Sequence, residues 1–318
     1  MTAADHPVLP PQTRALCLVG PTAVGKTEVA LLLAERLGAE IISVDSMQVY
    51  RGMDIGTAKP AAAERARVPH HLLDMVDLTQ PFSVADFLRL SREALAQIQT
   101  RRHLPLFCGG TGLYFKALIH GLGETPPSNS RLRAELETAP IADLLAELAR
   151  RDPVTFARID QKNPRRILRA LEVIRLTGKP YSAQRAGWTL LAHDPQSPLL
   201  ILGLSRSPAD LRRRIDQRVE DMFHRGLLAE TSDLLTRGLA ENKTALQALG
   251  YRQVAEHLRG LRSLPETVEL VKIRTRQFAK RQMTWFRNQL RVRWLHLDAA
   301  DSPPDTAAKL AREFTNGP

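Results

Sequence analysis

The stretch Gly20-Pro-Thr-Ala-Val-Gly-Lys-Thr27 directly follows the apolar run Ala15-Leu-Cys-Leu-Val19. Its two glycines permit a tight turn whose backbone N–H groups point inward, and the helix that follows adds its positive N-terminal end. Lys26 offers a positive charge and Thr27 a hydroxyl for Mg²⁺. An amphipathic pattern comes next, so strand, loop and helix occur in the required order. The sequence therefore predicts a P-loop that holds a di- or triphosphate, but it does not indicate the reaction.

Composition and charge limit the class of protein. The chain has 318 residues, 43% of them hydrophobic, which is enough for one large domain and a smaller one. The net charge of +11 suggests a polyanionic partner, although charge alone does not separate RNA from DNA or from a contribution to solubility. No run approaches the roughly 20 apolar residues of a membrane span, and residues 1–14 lack a signal-peptide pattern. We therefore expect a cytoplasmic protein that does not enter the membrane.

Four residues of types that bind metals are assigned other roles. Cys17 and Cys108 lie in apolar, strand-like segments, which predicts reduced core thiols. The adjacent His70 and His71 would point to opposite sides of a strand, and no further cluster of metal-ligating residues lies near them. We predict a structural or hydrogen-bonding role for both histidines.

Apolar runs alternate with helical patterns, which is typical of a parallel α/β sheet. The predicted strands are Arg14–Val19, Glu40–Val44, Leu72–Val76, Leu104–Cys108, Leu199–Leu204 and Val292–Leu297. Helices are predicted at Lys26–Leu37 and at Val84–Gln99, the second capped by Ser83. From about Glu124 to Trp188 the pattern is helical. The expected fold is a P-loop NTPase-like core at 12–123 and 191–318, with an inserted helical subdomain at 124–190.

Two more loops follow predicted strands at the edge where the P-loop lies. Ligands of open α/β sheets bind at the carboxyl ends of the strands, so Asp45 in the segment Asp45–Pro60 is expected beside the phosphate. Its carboxylate could hold Mg²⁺ through water or accept a proton from a nucleophile, or it could merely cap a turn. The segment Phe107–Tyr114 contains three glycines that permit close approach to a ligand, and Thr111 can hydrogen-bond to one. A simple turn is the alternative for this loop.

Taken together, these motifs resemble the tRNA dimethylallyltransferases, which attach an isopentenyl-type group to an adenosine of the anticodon loop. The similar segments are Gly20–Thr27, Asp45–Pro60, His70–Asp74, Gly109–Tyr114, Asn163–Glu172, Leu249–Gln253 and Thr275–Arg287. This ordered set covers nearly the whole chain and is highly specific. Val24 stands where many relatives carry Ser, a departure of little consequence because the loop acts mainly through backbone donors.

The resemblance implies transfer of a dimethylallyl group from dimethylallyl diphosphate to N6 of adenosine 37, next to the anticodon, in tRNAs that read codons beginning with U. The departing diphosphate must be stabilised while the allyl fragment gains positive charge. We expect Lys26 and Arg218 to hold it, with a surface ion pair as the alternative for Arg218, and Mg²⁺ to bind near Thr27. Asp45, assisted by Thr111, is expected to accept the proton of an adenosine that has left its stack. The predicted diphosphate-binding residues are Gly20, Pro21, Thr22, Ala23, Val24, Gly25, Lys26 and Thr27.

Two basic helices independently favour RNA as the partner. In the segment 265–290, a buried stripe is predicted at Val271, Phe278 and Trp285, with Lys272, Arg276, Lys280 and Arg287 on a different face. After Asn163-Pro164, a core stripe is predicted at Ile167, Leu171 and Ile174, with Arg165 and Arg169 projecting together. Each basic face could be merely solvated, but two of them favour phosphate contacts.

The resemblance extends the set of expected tRNA contacts. They are Asp45, Ser46, Met47, Gln48, Thr111, Arg133, Arg165, Arg166, Arg169, Gly250, Tyr251, Arg252, Lys280 and Arg287. The expected partners are the tRNA anticodon stem-loop and dimethylallyl diphosphate, with Mg²⁺ as cofactor and a monomeric enzyme. Three alternatives remain: a small-molecule P-loop kinase that uses ATP, a noncatalytic RNA-binding module, and a prenyltransferase acting on free adenylate.

Overall fold

The computed structural model of the protein describes residues 7–9, 13–123, 125–184 and 199–315. Six parallel strands form one sheet with the order β3-β2-β4-β1-β5-β6. The strands are β1 (Ala15–Val19), β2 (Ala39–Val44), β3 (His70–His71), β4 (Leu104–Gly109), β5 (Leu199–Arg206) and β6 (Arg293–Leu297). The predicted α/β class and the positions of five strands are confirmed. Because β2, β4 and β1 are neighbours, the loops that follow them lie side by side.

The described residues also form fourteen α-helices. They are α1 (Lys26–Leu37), α2 (Ala62–Arg67), α3 (Val84–Thr100), α4 (Gly112–His120), α5 (Ser130–Thr138), α6 (Ile141–Arg151), α7 (Pro153–Arg158), α8 (Pro164–Thr177), α9 (Tyr181–Gln184), α10 (Pro208–His224), α11 (Leu227–Thr236), α12 (Tyr251–Leu258), α13 (Leu264–Gln289) and α14 (Pro303–Thr315), with a 3₁₀ turn at Ala245–Gln247. Ser83 caps α3 as predicted, accepting a hydrogen bond from Asp86 N. In the part of the chain that the structure describes, no helix is both long and apolar enough to cross a membrane.

The chain divides into two compact units, and the smaller contains the helices α5 to α9 within His120–Thr189. Its core includes Ile167, Leu171 and Ile174, which are almost fully buried, so the stripe predicted on α8 is confirmed. The larger unit spans Val8–Ile119 and Leu190–Pro318 and contains the sheet. The boundaries predicted at 12, 124 and 190/191, and the predicted helical residues 185–188, lie outside the described residues.

The strand predicted at Leu72–Val76 is wrong. Leu72 and Asp74 have left-handed backbone conformations, with φ of +63° and +55°, which a strand cannot include. The strand is instead His70–His71, paired with β2, and Val76 forms only an isolated bridge with Tyr50. The Asp74 carboxylate accepts hydrogen bonds from Lys59 Nζ (2.6 Å) and Arg65 Nη1 (2.7 Å). These ion pairs hold the turn that ends the strand.

A buried carboxylate ties the amino end of β2 to its neighbours. Glu40, which is 1% exposed, accepts hydrogen bonds from Arg101 Nε and Nη2 at 2.7 and 2.8 Å. It also pairs with His71 Nε2 (2.6 Å) and His103 Nδ1 (2.8 Å). The Arg101 hydrogen bond is the largest cause that lowers the pKa of Glu40 from 4.5 to about 2. His71 thus has the hydrogen-bonding role that we predicted, and His70 Nδ1 lies 2.8 Å from Val68 O.

Replacing Glu40 with Gln is expected to lower the free energy of unfolding by about 1–3 kcal/mol at pH 7, because charge-assisted hydrogen bonds are lost in a buried place. The folded pKa lies below the unfolded one, so the stabilisation is present above pH 4.5 and is lost as the pH falls from 4.5 towards 2. Urea denaturation at pH 7 and pH 3 measures this difference. Glu35→Gln, which breaks an exposed pair with Arg67, is the control and should cost less than about 1 kcal/mol at either pH. An equal loss in both variants at pH 7 would contradict the prediction.

Candidate active site

A cleft of about 1000 Å³ opens at the carboxyl ends of β1, β2 and β4. The three loops that the sequence singled out all line it, which confirms that they meet at one edge of the sheet. The lining residues from these loops include Thr22, Ala23, Gly25, Lys26, Thr27, Asp45, Ser46, Met47, Gln48, Gly109, Gly110 and Thr111. Helices α10 and α13 add Arg213, Arg214, Arg218, Phe278, Arg281 and Gln282 to its walls, and Arg225 directly follows α10.

The P-loop has the backbone that its glycines predict. Gly20 and Gly25 have φ of +146° and +108°, and Ala23 between them is left-handed at +64°. A Cβ atom at Gly20 would collide with the carbonyl oxygen of Leu204, so only glycine fits there. Val24 is fully buried in the hydrophobic core, where an apolar side chain is stabilising. This burial explains how the loop accepts valine at that position.

Basic side chains donate hydrogen bonds to backbone carbonyl oxygens of the P-loop. The pairs are Lys26 Nζ with Gly20 O (2.9 Å) and Pro21 O (2.8 Å), Arg214 Nε with Ala23 O (3.0 Å), and Arg206 Nε with Val24 O (3.0 Å). In a planar trans peptide the N–H points opposite to the C=O. The amides that follow Ala23 and Val24 therefore face away from the two arginines. In the sequence, Arg214 is noticeable only as a neighbour of Arg218 and Arg206 is missed, because a cation that binds a backbone carbonyl has no signature of its own.

Burial alters the proton affinity of the cations in the cleft. It lowers the pKa of Lys26 from 10.5 to about 8, an effect reinforced by the nearby Arg218 and opposed by Cys108 and Asp45. Burial also lowers the pKa of Arg218, while Asp45 acts in the opposite direction. The nearby Cys108 thiol is half-buried, and burial raises its pKa to about 11. Lys26 and Arg218 thus form a positive site that an anion would stabilise.

Binding of inorganic diphosphate is expected to weaken above about pH 8, because Lys26 attracts the anion only while the lysine is protonated. The affinity should fall roughly tenfold per pH unit once most of the lysine is neutral. Calorimetric titration between pH 7 and pH 10 measures this trend. The control is Lys26→Arg, whose guanidinium stays charged over this range, so its affinity should change only as diphosphate itself ionises, and the wild-type affinity should fall relative to it. The same pH dependence in the wild-type protein and in the arginine variant would contradict the assignment.

Asp45 and Thr111 each accept a hydrogen bond from the backbone of the loop after β2. Asp45 Oδ1 accepts a hydrogen bond from Met47 N at 2.8 Å, and Thr111 Oγ1 accepts one from Ser46 N at 3.2 Å. The second carboxylate oxygen of Asp45 and the hydroxyl hydrogen of Thr111 can still take part in other hydrogen bonds. Asp45 therefore caps a turn, as the alternative interpretation predicts. Its carboxylate can still accept a proton.

Gln48 is placed differently from Ser46 and Met47. Its Oε1 accepts from Ser43 Oγ (2.8 Å), and its Nε2 donates to Thr57 O (3.2 Å). These bonds connect the end of β2 to the segment after Tyr50. A direct hydrogen bond from this amide to RNA would have to break them. The predicted RNA contact of Gln48 is thus limited to its exposed surface in the cleft.

The glycines of the segment 107–114 make room for neighbouring parts of the protein. A Cβ atom at Gly109 would collide with the backbone of Val44, and one at Gly112 would collide with the ring of Trp285. At Gly110 it would meet the side-chain amide of Gln282. Gly109, Gly110 and Thr111 also line the cleft, so their close approach to a ligand stays a prediction.

The predicted RNA contacts of Gly250 and Tyr251 are wrong, because both residues are buried. The Tyr251 hydroxyl donates to Glu230 Oε1 at 2.6 Å and accepts from Gly56 N at 3.1 Å. Glu230 also accepts from Ile55 N at 2.9 Å. Tyr251 therefore stabilises the segment Asp45–Pro60 through hydrogen bonds to its backbone, directly and through Glu230. Its neighbour Arg252 is exposed and pairs with Glu256 (3.0 Å).

The basic face predicted on α13 is only partly accessible. Lys272 is buried and contacts Glu220 and Glu269, each at 2.8 Å. Arg276 donates to Asp216 at 2.7 Å. Both cations are therefore neutralised by α10 or by α13 itself, in contrast to the prediction of a basic, RNA-facing surface. Lys280 and Arg287 are exposed, as an RNA contact requires.

The buried stripe predicted on α13 is also partly wrong. Val271 is buried, but Phe278 is 36% exposed and lines the cleft, and Trp285 is half-buried. The buried residues recur mostly every three or four positions and are Thr267, Val271, Lys272, Thr275, Ala279, Gln282 and Phe286. The seven-residue spacing missed this stripe because several of its members are polar.

In the smaller unit, the basic residues of α8 separate into two groups. Arg165 and Arg166 are exposed. Arg169 instead donates to Glu172 (2.8 Å) and to Pro126 O (2.6 Å), so it does not project together with Arg165. Arg133 is half-buried and donates to Ser128 Oγ at 3.2 Å. The exposed pair on α8 is the part of the prediction that stays available to RNA.

The cleft lacks a cage for a bare metal ion. Among residues 7–9, 13–123, 125–184 and 199–315, no group of three His, Cys, Asp or Glu side chains is placed to bind one. Mg²⁺ does not need such a cage, since it keeps several waters and binds through one or two protein oxygens together with substrate phosphates. The exposed Thr27 hydroxyl lines the cleft at the first turn of α1, so this site fits Mg²⁺ bound mainly by a diphosphate.

Comparisons with known proteins agree with this geometry. The family model "IPP transferase" matches residues 48–289. The chain is 47% identical to a tRNA dimethylallyltransferase of Halorhodospira halophila over 86% of this chain and 90% of that protein. It is 43% identical to one of Pelotomaculum thermopropionicum over 93% and 95%. A crystal structure of the tRNA isopentenylpyrophosphate transferase of Bacillus halodurans is similar, with 39% identity, a TM-score of 0.68 and coverage of 96% and 98%.

A eukaryotic dimethylallyltransferase acting on tRNA is also similar, with a TM-score of 0.77 and 26% identity over 95% of this chain and 78% of that one.

Proposed function

The chain belongs to the IPP transferase family, and we propose that it transfers a dimethylallyl group from dimethylallyl diphosphate to N6 of adenosine 37 in tRNA. The tRNAs would be those that read codons beginning with U, and the product is N6-isopentenyladenosine. One observation supports the reaction above all others: the P-loop, Asp45 and Thr111 line the same cleft. Donor and acceptor can therefore meet there.

The P-loop side of the cleft binds the leaving group. Backbone amides of the loop, the Lys26 ammonium and the Arg218 guanidinium face the diphosphate. The C–O bond to the allyl carbon breaks, and its electron pair leaves with the diphosphate. Thr27 would hold Mg²⁺, which neutralises part of the diphosphate charge when bound. These contacts strengthen as negative charge develops on the departing oxygen, so they accelerate the bond-breaking step.

The loops after β2 and β4 bind the acceptor. The lone pair of N6 is delocalised into the adenine ring, so N6 becomes a better nucleophile when its hydrogens are held by an acceptor. The free oxygen of Asp45 accepts an N6 hydrogen bond and takes the proton as the new C–N bond forms. Thr111 orients the amino group or the carboxylate through its hydroxyl. The base must leave its stack to reach this place.

Exposed cations outside the cleft hold the tRNA. We assign phosphate contacts to Arg165 and Arg166 on α8 and to Lys280 and Arg287 on α13, in line with their exposure. Arg252 is a further exposed candidate. The helical unit thereby serves as an RNA-binding module, and we expect the enzyme to act as a monomer.

Incubation with labelled dimethylallyl diphosphate, Mg²⁺ and unmodified tRNA tests the proposal. Label should appear in tRNA and, after nuclease digestion, in N6-isopentenyladenosine. Parallel reactions replace tRNA with AMP, or the donor with labelled ATP. Label in AMP at an equal rate would support a free-adenylate prenyltransferase, and transfer of phosphate from ATP would support a kinase. No transfer to any acceptor would indicate a noncatalytic RNA-binding protein.

A further inference from the structure

Gln282 connects two of the loops that line the cleft, the P-loop and the loop after β4. Its Oε1 accepts a hydrogen bond from Thr22 N in the P-loop at 2.8 Å. Its Nε2 donates to Gly110 O, one residue before Thr111, at 2.9 Å. The residue is only 8% exposed. One amide therefore joins the loop expected to bind the donor to the loop expected to bind the acceptor.

The helix α13 holds Gln282 firmly in this place. Trp285 packs where Gly112 has no side chain, and the centres of the Phe286 and Phe115 rings lie 6.0 Å apart. A turn further, Gln289 accepts a hydrogen bond from Lys116 at 2.5 Å. These contacts fix α13 against α4, which directly follows the Thr111 loop. Through the Gln282 amide, the P-loop is therefore hydrogen-bonded to a helix that packs against α4.

Gly110 provides the space for this connection. A Cβ atom there would lie only 2.3 Å from the Nε2 atom of Gln282. The φ of Gly110 is not in the left-handed range, so its backbone conformation does not itself demand glycine. Glycine is needed at position 110 because the side-chain amide of Gln282 lies where a Cβ atom would be.

We propose that Gln282 is a positioning residue that sets the distance between the diphosphate site and the acceptor site, an inference that rests on the transferase function proposed above. The Thr22 amide is committed to Gln282, so this side chain orients the P-loop without touching the reacting atoms. Transfer between two bound substrates depends steeply on their separation, and a misplacement of about 1 Å can lower the rate about 100-fold.

The test uses Gln282→Met, which keeps an unbranched side chain of similar length and removes both hydrogen bonds. We expect a single-turnover rate of transfer about 10- to 100-fold lower at saturating donor and tRNA. The dissociation constants for dimethylallyl diphosphate and for tRNA, each measured alone, should change less than about threefold, because each loop keeps its own contacts. The control is Gln277→Met on the exposed side of the same helix, which should behave as wild type.

A second variant interrupts the bridge from the other loop. Gly110→Ala should displace the end of the Gln282 side chain and produce the same loss of rate with nearly unchanged affinities. Hydrogen exchange adds a measurement that does not depend on activity: the Thr22 amide should exchange faster in both variants than in Gln277→Met. Wild-type rates and exchange in both variants would overturn the proposal while wild-type transfer still stands. A loss of donor affinity as large as the loss of rate would make Gln282 a binding residue and would also overturn it.

If the wild-type enzyme transfers no prenyl group, the proposed function fails, and the exchange measurement still decides whether Gln282 holds the P-loop.

Discussion

Replacing Asp45 with Asn is expected to lower the single-turnover rate of prenyl transfer by about 10²- to 10⁴-fold. The amide keeps an oxygen that can accept the hydrogen bond from Met47 N, so the loop after β2 retains its shape. It cannot take the N6 proton, however, and its charge is lost opposite the developing positive charge. Rapid-quench measurements with saturating donor and tRNA give the rate. The affinity for dimethylallyl diphosphate should change much less than the rate, since the P-loop contacts are untouched.

Asp77→Asn is the matched control for this change. Asp77 lies in a loop of the same unit and forms an exposed ion pair with Arg51 at 3.0 Å. Its replacement removes the same charge and should leave the rate within about twofold of wild type, as exposed ion pairs contribute little. Full activity of Asp45→Asn would exclude Asp45 as the proton acceptor. An equal loss of rate in both variants would point to a general effect of charge.

The parts of the site that were predictable are those encoded by neighbouring residues. The P-loop needs two glycines, a lysine and a helix start within eight positions, so Gly20–Thr27 contains the whole signal. The helix α1 begins and ends where the pattern places it, at Lys26 and Leu37. Parallel strands align their carboxyl ends, and this rule alone brings Asp45 and Thr111 to the same edge.

The parts that failed depend on partners far away in the chain. The resemblance implied that Tyr251 contacts tRNA, but Tyr251 is buried, and its hydroxyl donates to Glu230 and accepts from Gly56 N. Lys272 looks like part of a basic face until Glu220 of α10 is brought beside it. Such pairs form only when helices distant in sequence pack together, and no local pattern records them.

The helix α13 shows a different kind of failure. Its buried side includes Thr275 and Gln282, and a search for apolar periodicity passes over both. Thr275 satisfies its hydroxyl by donating to Val271 O at 2.7 Å, and Gln282 bonds to two loops. A polar residue can be buried when its hydrogen bonds are complete. The sequence contains a signal for this, since Gln282 lies four residues before the buried Phe286, but only the structure supplies its partners.

The affinity for tRNA should depend steeply on salt. If the enzyme contacts six to ten phosphates, binding of an anticodon stem-loop should weaken by about 10³- to 10⁵-fold between 50 and 200 mM salt. Fluorescence anisotropy at increasing KCl concentration measures the slope of log affinity against log salt. Replacing Arg165, Arg166, Lys280 and Arg287 together by Gln should reduce the magnitude of this slope by roughly four, about one for each cation that no longer neutralises a phosphate.

The ion-paired cations of α13 provide the control. Lys272→Gln with Arg276→Gln removes two positive charges from the same helix, but both are already neutralised by carboxylates at 2.8 Å or less. Because these cations release no counterions from RNA, the slope should change by less than about one. If the slope fell as much in this double variant as in the fourfold one, net charge rather than the exposed residues would govern binding. The proposed diphosphate site includes the half-buried Lys26 and Arg218 and none of the replaced residues, so calorimetric binding of inorganic diphosphate should be unchanged in both variants.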